Sequence, residues 1–122
     1  MRRLLVAATL VALLFCQSEK RQQAIAAAME NTLTFMRKAI RDFRADHKRP
    51  PASLDELVKS RYLRTIPRDP VTDATDWRVT MEESVRIDDF KAQARESVPQ
   101  GIADVHSAAP GTDSHGKPWS EY

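Results

Sequence analysis

From Glu19 to Arg49 the chain holds no glycine and no proline, and then come two prolines together, Pro50-Pro51. A stretch this free of helix breakers and this abruptly closed leaves few folds open. Within it Ile25, Met29, Leu33, Met36, Ile40 and Phe43 recur at intervals of three and four. At 100° per residue all six fall inside about an 80° sector, which is one face of a helix. The spacing predicts a long amphipathic helix over 19–49, running from near Glu19 to Asp46, roughly 40 Å, with His47 extending its stripe. It has to stop there, because the residue before a proline avoids the α region. A helix with one narrow apolar seam needs a partner for that seam. The spacing covers only about three heptads, so a domain that follows it in the chain is a better partner than a coiled-coil copy.

What precedes the helix is of another kind. Met1-Arg2-Arg3 leads into the thirteen-residue apolar run Leu4 to Cys16. As a helix that run covers roughly 20 Å, short of the ~30 Å hydrocarbon core, so by length it reads as the apolar region of an export signal. Residues 1–18 are therefore expected to be a signal or membrane-anchor segment, continuous with the long helix or separate from it. Three routes stay open: lipid attachment at Cys16, although bulky Phe15 precedes it; cleavage after Ser18; or an uncleaved anchor with Arg2 and Arg3 on the cytoplasmic side. Each puts the chain in the inner membrane with a periplasmic domain, or free in the periplasm.

The remaining residues, 50–122, are expected to form one small α+β domain; a net charge of +2 gives no reason to expect nucleic acid. One cysteine allows no internal disulfide, and one Cys with three scattered His makes no zinc site. Ser53-Leu54-Asp55-Glu56 is a capping box, starting a short helix that turns Leu54, Leu57 and Val58 inward and ends near Arg61. Tyr62-Leu63 should pack on the long helix, and Ile66 to Pro70, with two prolines three apart, is a rigid extended crossing. Asp76–Met81 alternates and reads as a strand with Trp77, Val79 and Met81 on one face. Ser84 to Gln100 reads as a solvated insertion with a helical turn around Ile87–Ala94. Gly101–Ser107 is a second strand, antiparallel to the first. The tail from Pro110 to Tyr122 is a structured loop anchored by Trp119.

On these residues the chain resembles the G-type, or major, pseudopilins of type II secretion. The carriers are Met36 to His47, then Pro51-Ala52-Ser53-Leu54-Asp55-Glu56-Leu57, the crossing Tyr62-Leu63-Arg64-Thr65-Ile66-Pro67-Arg68-Asp69-Pro70, and the ending Trp119-Ser120-Glu121-Tyr122. The resemblance implies a pilin-like fold, with the long helix packed on a small antiparallel sheet beside a short second helix. It implies a non-enzymatic, membrane-tethered subunit of a type II secretion or type IV pilus-like assembly. Its partners would be other pilin-like subunits, in a homo- or hetero-oligomer, and the secretion machinery. It also implies calcium in the C-terminal loop, for which Asp113 and Glu121 are the available side chains, with Pro110 about where an acidic ligand would stand. The family's peptidase site and its membrane-embedded Glu are absent between Met1 and Gln23.

The alternative is an exported binding module or lipoprotein that never polymerises. For either reading the exposed contacts are expected at Phe35, which points away from the seam, and at Arg37, Arg41 and Arg44, which with Lys48 form a basic stripe beside it. That stripe would suit an acidic partner surface or anionic lipid. No catalytic constellation is expected: His47, His106 and His115 fall on different elements, and no Gly-x-Ser-x-Gly elbow occurs. The carboxylates of Asp69 and Asp73, four apart, suit turn hydrogen bonds better than a metal.

Overall fold

The computed structural model describes residues 2–85 and 97–122. Its first element, α1, is a single helix, Arg2–His47, of 46 residues and so roughly 69 Å long. The apolar run and the amphipathic stretch are one rod, and nothing breaks at residue 18. The rod ends where the prolines require. Lys48 takes a left-handed φ of 57° while its amide still bonds the Arg44 carbonyl at 2.9 Å, and Pro50 follows.

The second helix, α2, Leu54–Lys59, has Ser53 as its N-cap. The Ser53 hydroxyl accepts from the Glu56 amide at 3.2 Å, as a capping box demands, but the Glu56 carboxylate reaches one residue further back, to the Ala52 amide at 2.6 Å. Arg49 then closes on Glu56, Nη2 to Oε1 at 2.5 Å, tying the end of α1 to the start of α2. Leu57 is fully buried, with Leu54 and Val58 half-buried against the core. Tyr62 lies edge-on to Phe43, ring centres 5.4 Å apart, and its hydroxyl donates to Asp46.

Two strands follow, β1 Arg78–Val85 and β2 Ser97–His106, antiparallel, with Arg78 opposite His106 and Val85 opposite Ser97. The pairing is the expected one, but both strands are longer. Residues 84–85 and 97–100, expected in a solvated insertion, are strand; the helical turn expected around Ile87–Ala94 lies outside the described residues. The face assigned to β1 also needs correction. Trp77 is buried just before the strand, whereas Val79 is 41% and Met81 38% exposed. Alternation predicts one buried face only if the strand lies over a core. Here β2 lies on α1 and buries Ile102 and Val105, while β1 pairs with its outer side, and register shifts at Thr80/Met81 and Glu82/Glu83 break the alternation.

The core is the second half of α1 (Met29, Leu33, Met36, Ala39, Ile40, Phe43) closed over by Leu57, Leu63, Trp77, Ile102, Val105, Ala109 and Trp119. Each such side chain contributes about 1.5–3 kcal/mol when fully buried, and the entropy of ordering the chain takes back most of the sum. Gly101 is where β2 meets the proline corner. A Cβ there would sit 2.5 Å from the Pro51 carbonyl oxygen, which accepts the Ile102 amide at 2.7 Å, and its φ is 149°. The fold is α+β: a long N-terminal helix, a short helix, and a small antiparallel sheet of two strands.

Candidate functional site

The features able to contact a partner or ligand lie along α1, so each predicted residue is placed there first. Met29, Leu33, Met36, Ile40 and Phe43 are buried and Ile25 is half-buried against the same cluster. Phe35 is 53% exposed on the opposite side. Earlier on the rod, Val6, Leu10, Val11, Leu13, Leu14 and Phe15 are all exposed, Phe15 at 68%. Cys16 is a free, exposed thiol. Among the described residues no helix is long and apolar enough to cross a membrane.

The basic stripe divides into three roles. Arg37 faces inward and is used by the fold itself. Its Nε donates to Asp104 at 2.8 Å, and its Nη2 donates to the Val105 carbonyl at 2.9 Å and to the Tyr122 main-chain oxygen at 2.7 Å. One guanidinium thus joins the helix, β2 and the C-terminal loop, which its rigid fork suits. Burial pushes the Asp104 carboxyl up, but the Val105 amide and Arg37 outweigh it and the net shift is downward. Arg44 pairs with Glu82 of β1. Arg41, between them, is exposed, and among the described residues no acceptor meets it. The three arginines, with Ile40, Ala103 and Asp104, line a groove of about 290 Å³ between α1 and β2.

Of the expected calcium pair, Asp113 is engaged in hydrogen bonds within its own loop. Asp113 Oδ1 accepts the His115 amide at 2.8 Å and the Lys117 amide at 2.9 Å, and Oδ2 accepts the Tyr122 hydroxyl at 2.5 Å. Three donors occupy the lone pairs that a hard cation would need, and calcium wants six to eight oxygens. Glu121 is exposed on a separate turn, η1, Trp119–Glu121. Among the described residues no group of three or more His, Cys, Asp or Glu could hold a metal. The Tyr122 hydrogen bond draws the Asp113 carboxyl below its ordinary range, and Asp113 pushes the Tyr122 phenol up to about 12. Lys117 sits over the Tyr122 ring, 4.0 Å from its centre, and Trp119 lies beside it at 5.3 Å. Asp113 organises the loop through these hydrogen bonds.

Asp69 and Asp73 also separate. Asp69 is fully buried; its Oδ1 accepts the Val71 amide at 2.7 Å and the Thr72 amide at 3.3 Å, and its Oδ2 accepts the Ser107 hydroxyl at 2.5 Å. Asp73 is exposed, with a left-handed φ of 56°, beside Arg68. The first is a turn former and the second a surface residue. The histidines stay apart: His47 stacks on Phe43 at 4.1 Å, His106 Nε2 lies 3.4 Å from Asp104, and His115 is in the Asp113 loop. Among the described residues none hydrogen-bonds a serine or the cysteine, and the buried Ser107–Asp69 pair is a structural staple. Two of these staples escape sequence reasoning. Asp104 and Ser107 are unremarkable in a strand pattern, and only the fold brings them to Arg37 and Asp69. No family model, curated protein or solved structure matches the chain.

Proposed function

We propose that the protein is a non-enzymatic, membrane-tethered subunit with a pilin-like layout, acting in a type II secretion or type IV pilus-like assembly by subunit packing. The supporting observation is the division of α1: its second half is a core, while Val6 to Phe15 present exposed apolar side chains with no counterpart in the globular domain. Exposed apolar surface on this scale marks a membrane or protein contact. An apolar run too short to span the bilayer alone is held by packing among neighbouring helices at the membrane. The partners are then other subunits of the same kind, and the domain faces the periplasm.

Membrane fractionation and cross-linking of the full chain test this. Sedimentation with inner membranes and cross-links from Phe35 or Leu14 to a neighbouring subunit are the expected result; a chain recovered entirely as soluble monomer would overturn it. A second reading rests on the exposed Cys16 at the end of the apolar run: an exported binding module or lipoprotein that does not polymerise. Mass spectrometry of the mature N-terminus separates the two, because a diacylated Cys16 belongs only to the second.

A further inference from the structure

The groove between α1 and β2 carries an unsatisfied pattern. Arg37, Arg41 and Arg44 follow one another along one side of the helix, each on that groove. The first holds the carboxylate of Asp104 and the third holds that of Glu82. Arg41, the middle guanidinium, has no carboxylate among the described residues, although it lines the same cleft beside Ile40 and Ala103. Each flanking arginine–carboxylate pair is close to neutral, so the uncompensated positive charge on the groove is that of Arg41 itself.

We propose that this groove docks an acidic segment of a partner polypeptide, whose Asp or Glu carboxylate pairs with Arg41 while a small apolar side chain rests on Ala103 and Ile40. A planar guanidinium donates two parallel hydrogen bonds to one carboxylate, which gives orientation as well as attraction. Anionic lipid fits the position less well. Arg41 stands roughly 39 Å along the helix from Phe15 at 1.5 Å per residue, several Debye lengths from any bilayer that holds the apolar end. The proposal rests on the reading of the chain as a docking subunit and names the chemistry of its partner.

The test uses the full chain in neutral detergent and a fluorescent blocked peptide of alternating Glu and Leu, with its Gln and Lys counterparts as controls. Arg41→Gln is expected to weaken binding of the Glu peptide about fivefold, the scale of one partly exposed ion pair. Arg64→Gln, exposed and off the groove, should leave it unchanged, and Arg41→Glu should transfer preference to the Lys peptide. Equal affinities of wild type, Arg41→Gln and Arg64→Gln would overturn the proposal. So would vesicles of equal parts phosphatidylglycerol and phosphatidylcholine binding through Arg41 while the peptide does not. Self-association that disappears in Arg41→Gln, without peptide binding, would assign the groove to a second copy and also overturn it. A chain that still sediments with membranes and cross-links to neighbours, yet binds peptide regardless of Arg41, loses this inference and keeps the proposed function.

Discussion

The two halves of α1 are equally free of breakers and both rich in apolar residues, yet they meet opposite surroundings. Between Met29 and Phe43 the apolar residues form a seam, and the domain closes over it completely. Between Val6 and Phe15 they go all round the helix, and nothing in the described residues covers them. The difference teaches that periodicity, more than hydrophobicity, decides what one small domain can bury. A sheet, a short helix and a loop can cover one face of a rod, and an all-round surface needs a different solvent or several neighbours.

The comparison is broken most directly by shaving one aromatic from each half. Phe43 is fully buried, stacked on His47 at 4.1 Å and edge-on to Tyr62, with the Arg49 guanidinium 5.1 Å from its ring centre. Phe43→Ala should cost about 3–5 kcal/mol, close to the whole stability of a domain this size. Phe15→Ala should leave the urea midpoint, read by Trp77 and Trp119 fluorescence in neutral detergent, unchanged within about 0.5 kcal/mol. Equal losses at the two positions would mean that the apolar end is part of the same cooperative unit. The contrast drawn here would then fail.

The buried half also depends on the loops that close over it, and Asp69 shows how much. Asp69→Ala leaves two amides and the Ser107 hydroxyl without their acceptor in a buried place. At about 1–3 kcal/mol per stranded group, and with partial relaxation, a loss of about 3 kcal/mol is expected in the same urea titration. Asp69→Asn keeps an acceptor for the amides and should lose less. An Asp69→Ala protein as stable as wild type would mean that water replaces the carboxylate, and that the crossing is no lid on the seam.

How much of this was legible follows the same division. The seam from Met29 to Phe43, the Pro50-Pro51 stop and the Ser53 cap are local, written in spacing and in single-residue chemistry, and the structure has all three. Trp119 was readable as an anchor because a large aromatic amid turn residues has little else to do. Alternation reports that two faces of a strand differ without saying which element lies below, so it does not tell that Val79 and Met81 stay exposed. A two-stranded sheet with its outer strand away from the helix leaves both faces of that strand wet. The helical wheel sets Arg37 beside the seam, where it reads as an outward contact. Whether a flanking arginine turns outward or inward depends on Asp104 and the Tyr122 main chain, 67 and 85 residues away. Resemblance gives the Asp113 loop a cation, and no local pattern tells that Tyr122, at the far end of the loop, donates to the same carboxylate.

That loop gives the next effect in size. Tyr122→Phe removes one hydrogen bond to a carboxylate and should cost about 1 kcal/mol. Calcium or a chelator should shift the melting temperature of neither protein. The phenol's raised pKa makes the bond's contribution complete below the ordinary tyrosine value near 10 and lost as the pH rises through about 12. The lowered Asp113 pKa makes it fade again in acid. Calcium-dependent stabilisation of the wild type, absent in Asp113→Ala, would restore the metal and sink the hydrogen-bond account.

The smallest effect concerns the joint where the buried half of α1 ends. Arg49 holds the Glu56 carboxyl down at about 2, helped by the Ala52 amide, from an ordinary 4.5. A depressed carboxylate stabilises the fold above its unfolded pKa, so this contribution is full above about pH 5 and disappears as the pH falls toward 2. The pair is largely in water, and its effect is correspondingly a fraction of what a buried pair of the same geometry would give. Glu56→Gln should therefore flatten the acid limb of the stability profile between pH 5 and 2 and leave the neutral plateau nearly unmoved, apart from the weaker cap. Salt should diminish the wild-type slope in the same window and leave the slope of the variant alone. An unchanged acid limb in Glu56→Gln would show that the Arg49 bridge contributes nothing to the corner. Pro50-Pro51 and the Gly101 contact would then be sufficient to turn the chain back onto its own helix.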